Sequence, residues 1–379
     1  MMEPIFIASD NIISPLGFTT AENFKKLING QSGIALHDNN ALSKTPFYAS
    51  LITNENLFLN NDNKVSYTKF ESLIIASINE ALKKTDINIA DKKTVLIISS
   101  TKGNISLIET EKFSESLTER VSLHHSAKLI AEYFHHINKP IIISNACISG
   151  LLALLTGMRL IQSGEYENAI VAGCDVITQF IFSGFQSFMA ISKSPCKPFD
   201  EDRDGITLGE AAATVILSSN KKYSGNIKLV AGSVSNDANH ISGPSRTGEE
   251  LFLAINKALK QSNLSSTDID FISAHGTATI YNDEMEAKAI SLAGMETVPV
   301  NSLKGNYGHT LGAAGLIESI VSMQSLKENI VLPTKGFTKS GVSKSLNICS
   351  ILQPKISKNF LKTASGFGGC NAALIFTKV

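Results

Sequence analysis

Apolar residues occur along this chain in short, nearly continuous runs separated by longer stretches of mixed polarity. Seven of these runs are rich in Val, Ile and Ala and are bounded by polar or small residues. Such runs predict buried β-strands, and their alternation with longer helical stretches predicts an α/β fold. Because the runs are apolar on both faces, we expect sheets covered by helices on both sides. The predicted strands cover 94–100, 140–145, 168–176, 211–219, 268–276, 297–302 and 372–379.

Two longer segments between these runs predict helices that are buried nearly all round. Residues 146–163 are apolar almost throughout and stop before Gly164, a residue type that favours a helix C-terminus. Residues 308–327 look similar, with small residues first, then apolar positions and then polar ones. In both places a predicted strand ends in a polar turn and a Gly- and Ala-rich helix begins. This repetition predicts two duplicated halves, residues 1–220 and 221–379.

Composition and charge exclude several classes of protein. The 379 residues are 43% apolar, enough for a large core, and 34 basic residues balance 34 acidic ones. A chain without net charge has no overall attraction to nucleic acid or to an anionic membrane. No apolar stretch approaches the ~20 residues that span a bilayer, and the first residues lack a secretory pattern. Five cysteines without a C-x-x-C pair favour a reducing cytoplasm over a disulfide framework or a zinc site.

Cys147 occupies the polar turn of the first half, between a predicted strand and a predicted helix. Its sulfur would lie at the positive end of the helix dipole, where a thiolate is stabilised. A nucleophile on such a turn also directs its own backbone N–H toward the carbonyl that it attacks. A single cysteine among small apolar residues is more often an inert core residue, so its neighbours must decide between the two interpretations.

Two histidines of the second half lie in comparable turns. His275 is in SAHGTAT, just past a predicted strand, and His309 is in KGNYGHTLGAAG, at a predicted helix start. A helix start disfavours the protonation of His309 and favours a neutral imidazole near pH 7. Two neutral imidazoles can donate N–H bonds to a developing oxyanion or enolate. A single histidine taken alone is more often a structural, half-buried polar residue.

Together, the three segments resemble the active-site motifs of the beta-ketoacyl-acyl carrier protein synthases, which belong to the thiolase superfamily. Cys147 matches the nucleophile of that family, and His275 and His309 match its two histidines. The resemblance extends almost from end to end. Further similar segments are IISPLG and GQSGI near the N-terminus, CKPFDEDRDGITLGEAAA at 196–213, NDANHISGPS at 236–245 and SGFGGCNAALIF at 365–376.

The resemblance implies a fold, a reaction and further site residues. The fold would be the thiolase-like five-layer αβαβα arrangement, and the reaction would condense an acyl group on Cys147 with a malonyl unit that loses carbon dioxide. The phosphopantetheine of acyl carrier protein would deliver both groups, with no other cofactor and no metal ion. Lys304 matches the active-site lysine and Glu286 the carboxylate found near it, and both would organise the site electrostatically. Backbone N–H groups of Cys147 and Phe367 would hold the oxyanion.

The gating segment TASGFGG departs from the family pattern. Gly366 and Phe367 are retained, but Ser365 stands where the family commonly has another phenylalanine. The loop at 193–196 is shorter than in housekeeping fatty acid enzymes, and STKGN at 100–104 is similar to synthases of bacterial aryl-polyene or related pigment pathways. We therefore expect a more open or differently shaped gate, in a fatty acid, polyketide or polyene pathway.

Three rival interpretations make different demands on the sequence. A thiolase would have a second cysteine in a C-x-G setting, whereas Cys370 is followed by Asn371 and Ala372. A starter-unit synthase would have asparagine in place of His309. A non-catalytic chain-length-factor-like subunit would lack the nucleophile Cys147, although this chain could pair with such a subunit. The expected partners are acyl carrier protein and a second synthase-related chain, in a homodimer or a heterodimer.

Overall fold

The computed structural model of the protein describes residues 4–53, 66–225, 227–239 and 242–379. His240 and Ile241, in the family-like segment at 236–245, lie outside these ranges. The strands are β1 (Ile5–Ile13), β2 (Ala35–His37), β3 (Phe47–Ser50), β4 (Thr94–Ser99), β5 (Ile141–Ile143), β6 (Asn168–Asp175), β7 (Leu208–Gly209), β8 (Ala211–Ser218), β9 (Ile227–Asn236), β10 (Phe271–Ser273), β11 (Val300–Asn301), β12 (Ile330–Val331), β13 (Gln353–Pro354), β14 (Asn359–Gly366) and β15 (Cys370–Lys378). The α-helices are α1 (Thr20–Ile28), α2 (Lys69–Leu82), α3 (Leu107–Thr110), α4 (Glu115–Val121), α5 (Leu123–Tyr133), α6 (Ser149–Gln162), α7 (Gln179–Ser187), α8 (Glu249–Ser262), α9 (Ile280–Leu292), α10 (Lys304–Tyr307) and α11 (Ala314–Glu328).

The seven apolar runs all contain strands, so these predictions are confirmed. The strands in question are β4, β5, β6, β8, β10, β11 and β15. Every residue of β4 and β8 is buried, as expected for strands covered on both faces. Three long strands, β1, β9 and β14, were not predicted from the sequence pattern. They carry buried polar side chains such as Asn11 and Lys362 among their apolar residues, which interrupts the apolar run.

Ten strands form one hydrogen-bonded series in the order β11-β10-β14-β15-β9-β1-β8-β6-β4-β5. Numbering the five strands of each half along the chain gives the same order, 3-2-4-5-1, in both halves. In both, the second strand is parallel to the third and fourth, whereas the fifth is antiparallel to the fourth and first. The halves meet where β1 pairs with β9. The expected duplication is therefore present, and the boundary after residue 220 stays a prediction.

The helices complete a five-layer arrangement, which confirms the predicted fold class. Helices α6 and α11 lie between the two half-sheets and share one apolar core with both of them. Helices α2 and α5 cover the outer face of the first half, and α8 and α9 cover that of the second. Within the described ranges, no helix is both long enough and apolar enough to span a membrane.

Close contact between the two central helices brings their N-terminal ends together. A Cβ atom added to Gly150 would lie 3.0 Å from a backbone nitrogen of α11. A Cβ atom added to Gly315 would lie 2.9 Å from a backbone nitrogen of α6. Only residues without side chains allow the backbones to approach this closely. Because α6 begins just after Cys147 and α11 just after His309, this contact joins the reactive turns of the two halves.

Candidate active site

Cys147 lies in a sharp turn between β5 and α6, with 9% of its surface exposed. Its predecessor Ala146 has a φ of +45°, a left-handed conformation that is strained for a residue with a Cβ atom. Ser149 fixes the turn, since its hydroxyl donates to the carbonyl of Ala146 (2.6 Å) and accepts from the N–H of Asn145 (2.8 Å). These hydrogen bonds hold the strained turn, and with it the sulfur, at the start of the central helix.

His309 contacts the sulfur of Cys147 directly. Its Nε2 lies 3.1 Å from Sγ, and its Nδ1 accepts a hydrogen bond from the backbone N–H of Leu311 at 3.3 Å. An imidazole whose Nδ1 accepts must, when neutral, carry its proton on Nε2. On that assignment, the ring of His309 donates an N–H toward the sulfur.

His275 lies just after β10 and is buried beside His309. The two ring centroids are 5.2 Å apart and their planes are nearly perpendicular, at 82°. The Nδ1 atom of His275 is 3.4 Å from Nζ of Lys304, an ammonium that can only donate. His275 is therefore also assigned as a neutral ring with its proton on Nε2. One ring nitrogen of each histidine and the sulfur of Cys147 all lie within 4.8 Å of one another.

Burial sets the protonation states of these three groups. Desolvation, followed by the nearby charge of Lys304, holds the pKa of His275 and of His309 well below the ordinary value. Both rings are neutral at pH 7, mainly because of burial and the lysine charge. Burial also raises the pKa of the Cys147 thiol to about 12, with a contribution from Cys370. Burial thus favours the thiol form of Cys147, whereas the positive end of the α6 dipole favours the thiolate.

Lys304 lies beneath His275 on α10, almost completely buried. Its Nζ atom donates to the carbonyl oxygen of His275 (3.0 Å) and forms an ion pair with Glu318 on α11. The sequence had assigned Glu286 to the position beside this lysine, and this placement is corrected. The side chain of Glu318 points from the central helix to Lys304, whereas Glu286 belongs to α9.

Glu286 instead holds the backbone of the His275 turn. Its two carboxylate oxygens accept from the N–H groups of His275 and Gly276, each at 2.8 Å. One turn earlier on α9, Asp283 accepts from the N–H groups of Thr277 (2.8 Å) and Ala278 (3.1 Å). Burial raises the pKa of Asp283 to about 6. The two carboxylates, spaced i and i+3 on one helix, fix the loop that carries the histidine.

Three charged residues of this region were not predicted from the sequence. They are Asp283, Glu318 and Lys362, all buried. Each carried a usable signal, because a charged residue within an apolar segment must find a partner when it is buried. Glu318 interrupts GLIES and Lys362 interrupts FLKTA, whereas Asp283 lies one helical turn before Glu286.

The turn between β14 and β15 closes over Cys147. A Cβ atom added to Gly366 would lie 2.9 Å from the backbone nitrogen of Cys147, so a side chain at 366 would crowd that amide. Phe367 follows and is 40% exposed. Its ring packs against Phe185, at a centroid distance of 5.8 Å, and against Phe188, at 5.5 Å. The retained phenylalanine therefore belongs to an aromatic group at the entrance of the site.

Ser365 is buried behind this turn, with 6% of its surface exposed. Its hydroxyl donates to the side-chain oxygen of Asn371 on β15 at 2.7 Å. The residue lines the same cavity as Cys147, which has a volume of about 430 Å³. Thr277 and Thr279 place hydroxyl groups along another part of the wall. The cavity combines an aromatic entrance, a few polar groups and the reactive sulfur, as small-molecule binding sites commonly do.

Cys147, His275 and His309 are also spaced closely enough to hold a metal ion, with one ligand atom from each. Their hydrogen bonds favour a different use. A histidine ligates a metal through a nitrogen without a proton, and here the Nδ1 atoms face the N–H of Leu311 and the ammonium of Lys304. The remaining Nε2 atoms therefore carry protons and are donors.

Comparison with known proteins places this geometry in a family. Residues 2–222 match the beta-ketoacyl synthase N-terminal domain and residues 210–338 match the C-terminal domain of the same family. The 3-oxoacyl-[acyl-carrier-protein] synthase 2 of Vibrio harveyi is 27% identical over 408 residues, covering 99% of this chain and 98% of the relative. The chain therefore belongs to the beta-ketoacyl synthase family. The expected class, an acyltransferase that performs condensation, is confirmed.

Solved structures share the fold over the whole chain. A ketosynthase in complex with its chain length factor, from Xenorhabdus doucetiae, has a TM-score of 0.87 and 27% identity and covers 100% of this chain and 98% of that one. The ishigamide ketosynthase/chain length factor has a TM-score of 0.90 at 22% identity and covers 100% of both chains. At that identity, the second likeness concerns the fold alone.

Proposed function

We propose that this protein is an elongating beta-ketoacyl-acyl carrier protein synthase with Cys147 as its nucleophile. The observation that carries the proposal is the convergence of the Cys147 sulfur with the Nε2–H donors of His275 and His309 in one cavity. A chain-length-factor-like subunit lacks the nucleophile and a starter-unit synthase has asparagine at the second histidine. The residues present thus favour elongation over both rivals.

In the first half-reaction, Cys147 attacks an acyl thioester on carrier-bound phosphopantetheine. A bond forms between the sulfur and the acyl carbon, the bond to the phosphopantetheine sulfur breaks, and the cysteine proton leaves on the released carrier thiol. We assign the oxyanion to the backbone N–H groups of Cys147 and Phe367, and the crowding between Gly366 and the Cys147 amide supports this assignment. The N–H of His309 and the N-terminus of α6 stabilise negative charge on the sulfur during attack.

In the second half-reaction, a malonyl thioester loses carbon dioxide beside the acyl-enzyme. The electron pair of the broken carbon–carbon bond passes to the thioester as an enolate, and the donors of His275 and His309 stabilise its oxygen. The enolate carbon then attacks the acyl carbonyl, the bond to Cys147 breaks, and the sulfur takes up a proton. The electrons come from the carboxylate, so the reaction requires no redox cofactor. Lys304 and Glu286 orient His275 through its ring and its backbone.

We propose acyl carrier protein and a second synthase-related chain as partners. Strand β5 lies at the outer edge of the ten-stranded series, and its three isoleucines are only half-buried. An open strand edge is suited to pairing with another chain. The relative from Xenorhabdus doucetiae forms a complex with its chain length factor, which favours a heterodimer alongside the homodimer. All five cysteines are free, in keeping with a cytoplasmic enzyme.

The test is intact-mass analysis of the purified protein after incubation with an acylated carrier protein, followed by malonyl carrier protein. We expect one acyl group on Cys147 and then a product extended by two carbons. Cys147→Ala should abolish both steps and leave the fold intact, because a small side chain at the cavity wall contributes little packing. Cys174→Ala, at a buried cysteine on β6, is the matched control and should retain both. Condensation by Cys147→Ala at the wild-type rate would refute the proposal.

A further inference from the structure

Lys362 is a fully buried lysine near the active site that the reaction scheme leaves without a role. It lies in the middle of β14 and has 0% of its surface exposed. Removing an ammonium from water costs several kcal/mol unless hydrogen bonds and an opposite charge compensate it. A charge kept at such a position needs partners, and those partners indicate what it does.

The contacts of Lys362 are all with acceptors. Its Nζ atom donates to the carbonyl oxygens of Ser273 (3.0 Å), Ala274 (3.1 Å) and Thr363 (2.8 Å), and it lies 2.7 Å from Oε2 of Glu318. Burial lowers the pKa of Lys362, and the carboxylate of Glu318 opposes that effect. An ammonium has three N–H groups and no lone pair, so an environment of four acceptors matches the protonated form.

These contacts reach His275 by two routes. Ser273 and Ala274 are the two residues that precede His275 at the end of β10, so Lys362 fixes the backbone from which the imidazole projects. The second route runs through Glu318, which binds Lys362 with Oε2 and Lys304 with Oε1. Lys304 in turn lies 3.4 Å from Nδ1 of His275.

Glu318 is therefore shared between two lysines. With Lys362 in place, its carboxylate is balanced on both oxygens and Lys304 remains free to donate to the His275 backbone and to face its ring. Without Lys362, the whole carboxylate charge would act on Lys304 and draw its ammonium away from the ring. Nδ1 would then lose the donor that fixes the tautomer, and the Nε2–H would no longer be assured.

We propose that Lys362 is a positioning residue for the decarboxylation step, which holds His275 with its Nε2–H toward the developing enolate. This inference rests on the proposed synthase function and adds to it Lys362, the second lysine that forms an ion pair with Glu318. Lys362 touches neither substrate nor sulfur, so it acts through His275 and Lys304. Acyl transfer to Cys147 relies on His309 and backbone donors and should be nearly independent of it.

The experiment compares Lys362→Met and Lys362→Gln with the wild-type enzyme. Methionine removes both the donors and the charge, whereas glutamine removes the charge but keeps two N–H donors, on a side chain one atom shorter. For both variants, we expect malonyl carrier protein decarboxylation to fall at least 30-fold and acyl transfer to change less than threefold. In the glutamine variant, the pKa of His275, followed by NMR of ¹³C-labelled histidine, should rise because a nearby positive charge is lost.

Lys378→Met is the matched control. Lys378 likewise uses its ammonium to bind backbone oxygens, those of Leu326 and Lys327, each at 3.2 Å, but it is at the far end of β15. Its substitution should leave both rates and the His275 pKa unchanged.

Two outcomes would overturn the inference. One is an equal fall in acyl transfer and decarboxylation for the Lys362 variants, and the other is a lower melting temperature with both rates at the wild-type level. If Lys362→Met does not fold, Lys362→Gln decides, and wild-type decarboxylation by that variant refutes the role. Failure of the wild-type enzyme to decarboxylate malonyl carrier protein would instead refute the proposed function itself.

Discussion

The two halves of the molecule share one topology but contribute different parts of the site. In each half, a buried carboxylate holds the loop that follows the second strand. Asp175 accepts from the N–H groups of Thr101 (3.0 Å) and Lys102 (3.1 Å) in the first half. Glu286 accepts from those of His275 and its neighbour in the second. A carboxylate that accepts from two backbone N–H groups thus fixes the loop of His275 in the second half and a loop without a histidine in the first.

The turns after the third strands differ in the same way. The first half places Cys147 before α6, and the second places His309 before α11. Asp175 also connects the halves, because it accepts from the N–H of Gly312 at 2.7 Å, in the turn just before α11. The duplicated fold therefore has equivalent loop ends in both halves. The chemistry depends on which side chains occupy those ends, and neither half contains a complete site.

The largest expected effect is a difference between the two histidines of the second half, because their removal should slow different steps of the reaction. His275→Ala should lower malonyl carrier protein decarboxylation by about 100-fold, the loss typical of one removed oxyanion donor, and leave acyl transfer nearly unchanged. His309→Ala should lower both, because its Nε2–H also faces the sulfur of Cys147. Carbon dioxide release and intact-mass acylation measure the two steps. His136→Ala, at a half-buried histidine bonded to a carbonyl oxygen of the first half, is the control. Histidine variants that lose only acyl-enzyme formation would contradict the assignment.

The second largest expected effect concerns Gly366 of the second half, which lies against the backbone amide of Cys147 in the first. Gly366→Ala places a methyl group about where the Cys147 amide must meet the substrate oxygen, at 2.9 Å from its nitrogen. We expect acyl transfer to slow by roughly 10-fold or more, since one oxyanion donor is obstructed. Gly225→Ala is the matched control, because a Cβ atom there meets nothing within 4 Å. Equal acylation rates for the two variants would show that the amide is not used.

A smaller effect concerns stability and pH. The pKa values of His275 and His309 are lowered in the folded state, so below pH ~6.5 the unfolded chain binds more protons than the native one. The free energy of unfolding should therefore fall as pH drops below ~6.5, by at most about 1.4 kcal/mol per pH unit for each histidine. Asp283, with a pKa raised to about 6, opposes this trend below pH 6.

Urea unfolding at several pH values between ~5.5 and ~7.5 measures this slope. The double variant His275→Asn, His309→Asn should show a shallower slope than the wild type. Burial lowers the pKa of His136 to a smaller degree, so His136→Ala should change the slope little. Parallel slopes for the wild type and the double variant would mean that the two imidazoles titrate alike in the folded and unfolded states.

The smallest expected effect concerns the acyl chain. Ser365 has a smaller side chain than the phenylalanine common in the family and lines the cavity beside Phe367, so we expect rigid polyene or aryl-polyene chains to be accepted. Extension rates of saturated and conjugated acyl carrier proteins of equal length measure this preference, and Ser365→Phe should shift it several-fold toward saturated chains. A tenfold preference of the wild type for saturated chains, or ~1.4 kcal/mol in transition-state binding, would rule out a role in a polyene pathway. The synthase assignment would stand.

The sequence by itself determined the elements whose pattern is local. Continuous apolar runs predicted seven strands, and the two longer apolar segments predicted α6 and α11, because a segment buried on most sides carries mainly apolar and small residues. The same reasoning located the reactive turns at Cys147 and His309, where a strand gives way to a helix. Resemblance to a family then supplied their chemistry, along with that of His275.

Only the tertiary structure decided how the buried charges pair. Glu318 is 14 residues from Lys304 and 44 from Lys362, yet it binds both, whereas Glu286 turns to the backbone of His275. Tertiary structure also decided how deeply Cys147 is buried, and this burial raises the pKa of its thiol against the stabilising effect of the helix start. A sequence shows which residues carry charge, but desolvation and the choice of partner depend on which surfaces the folded chain brings together.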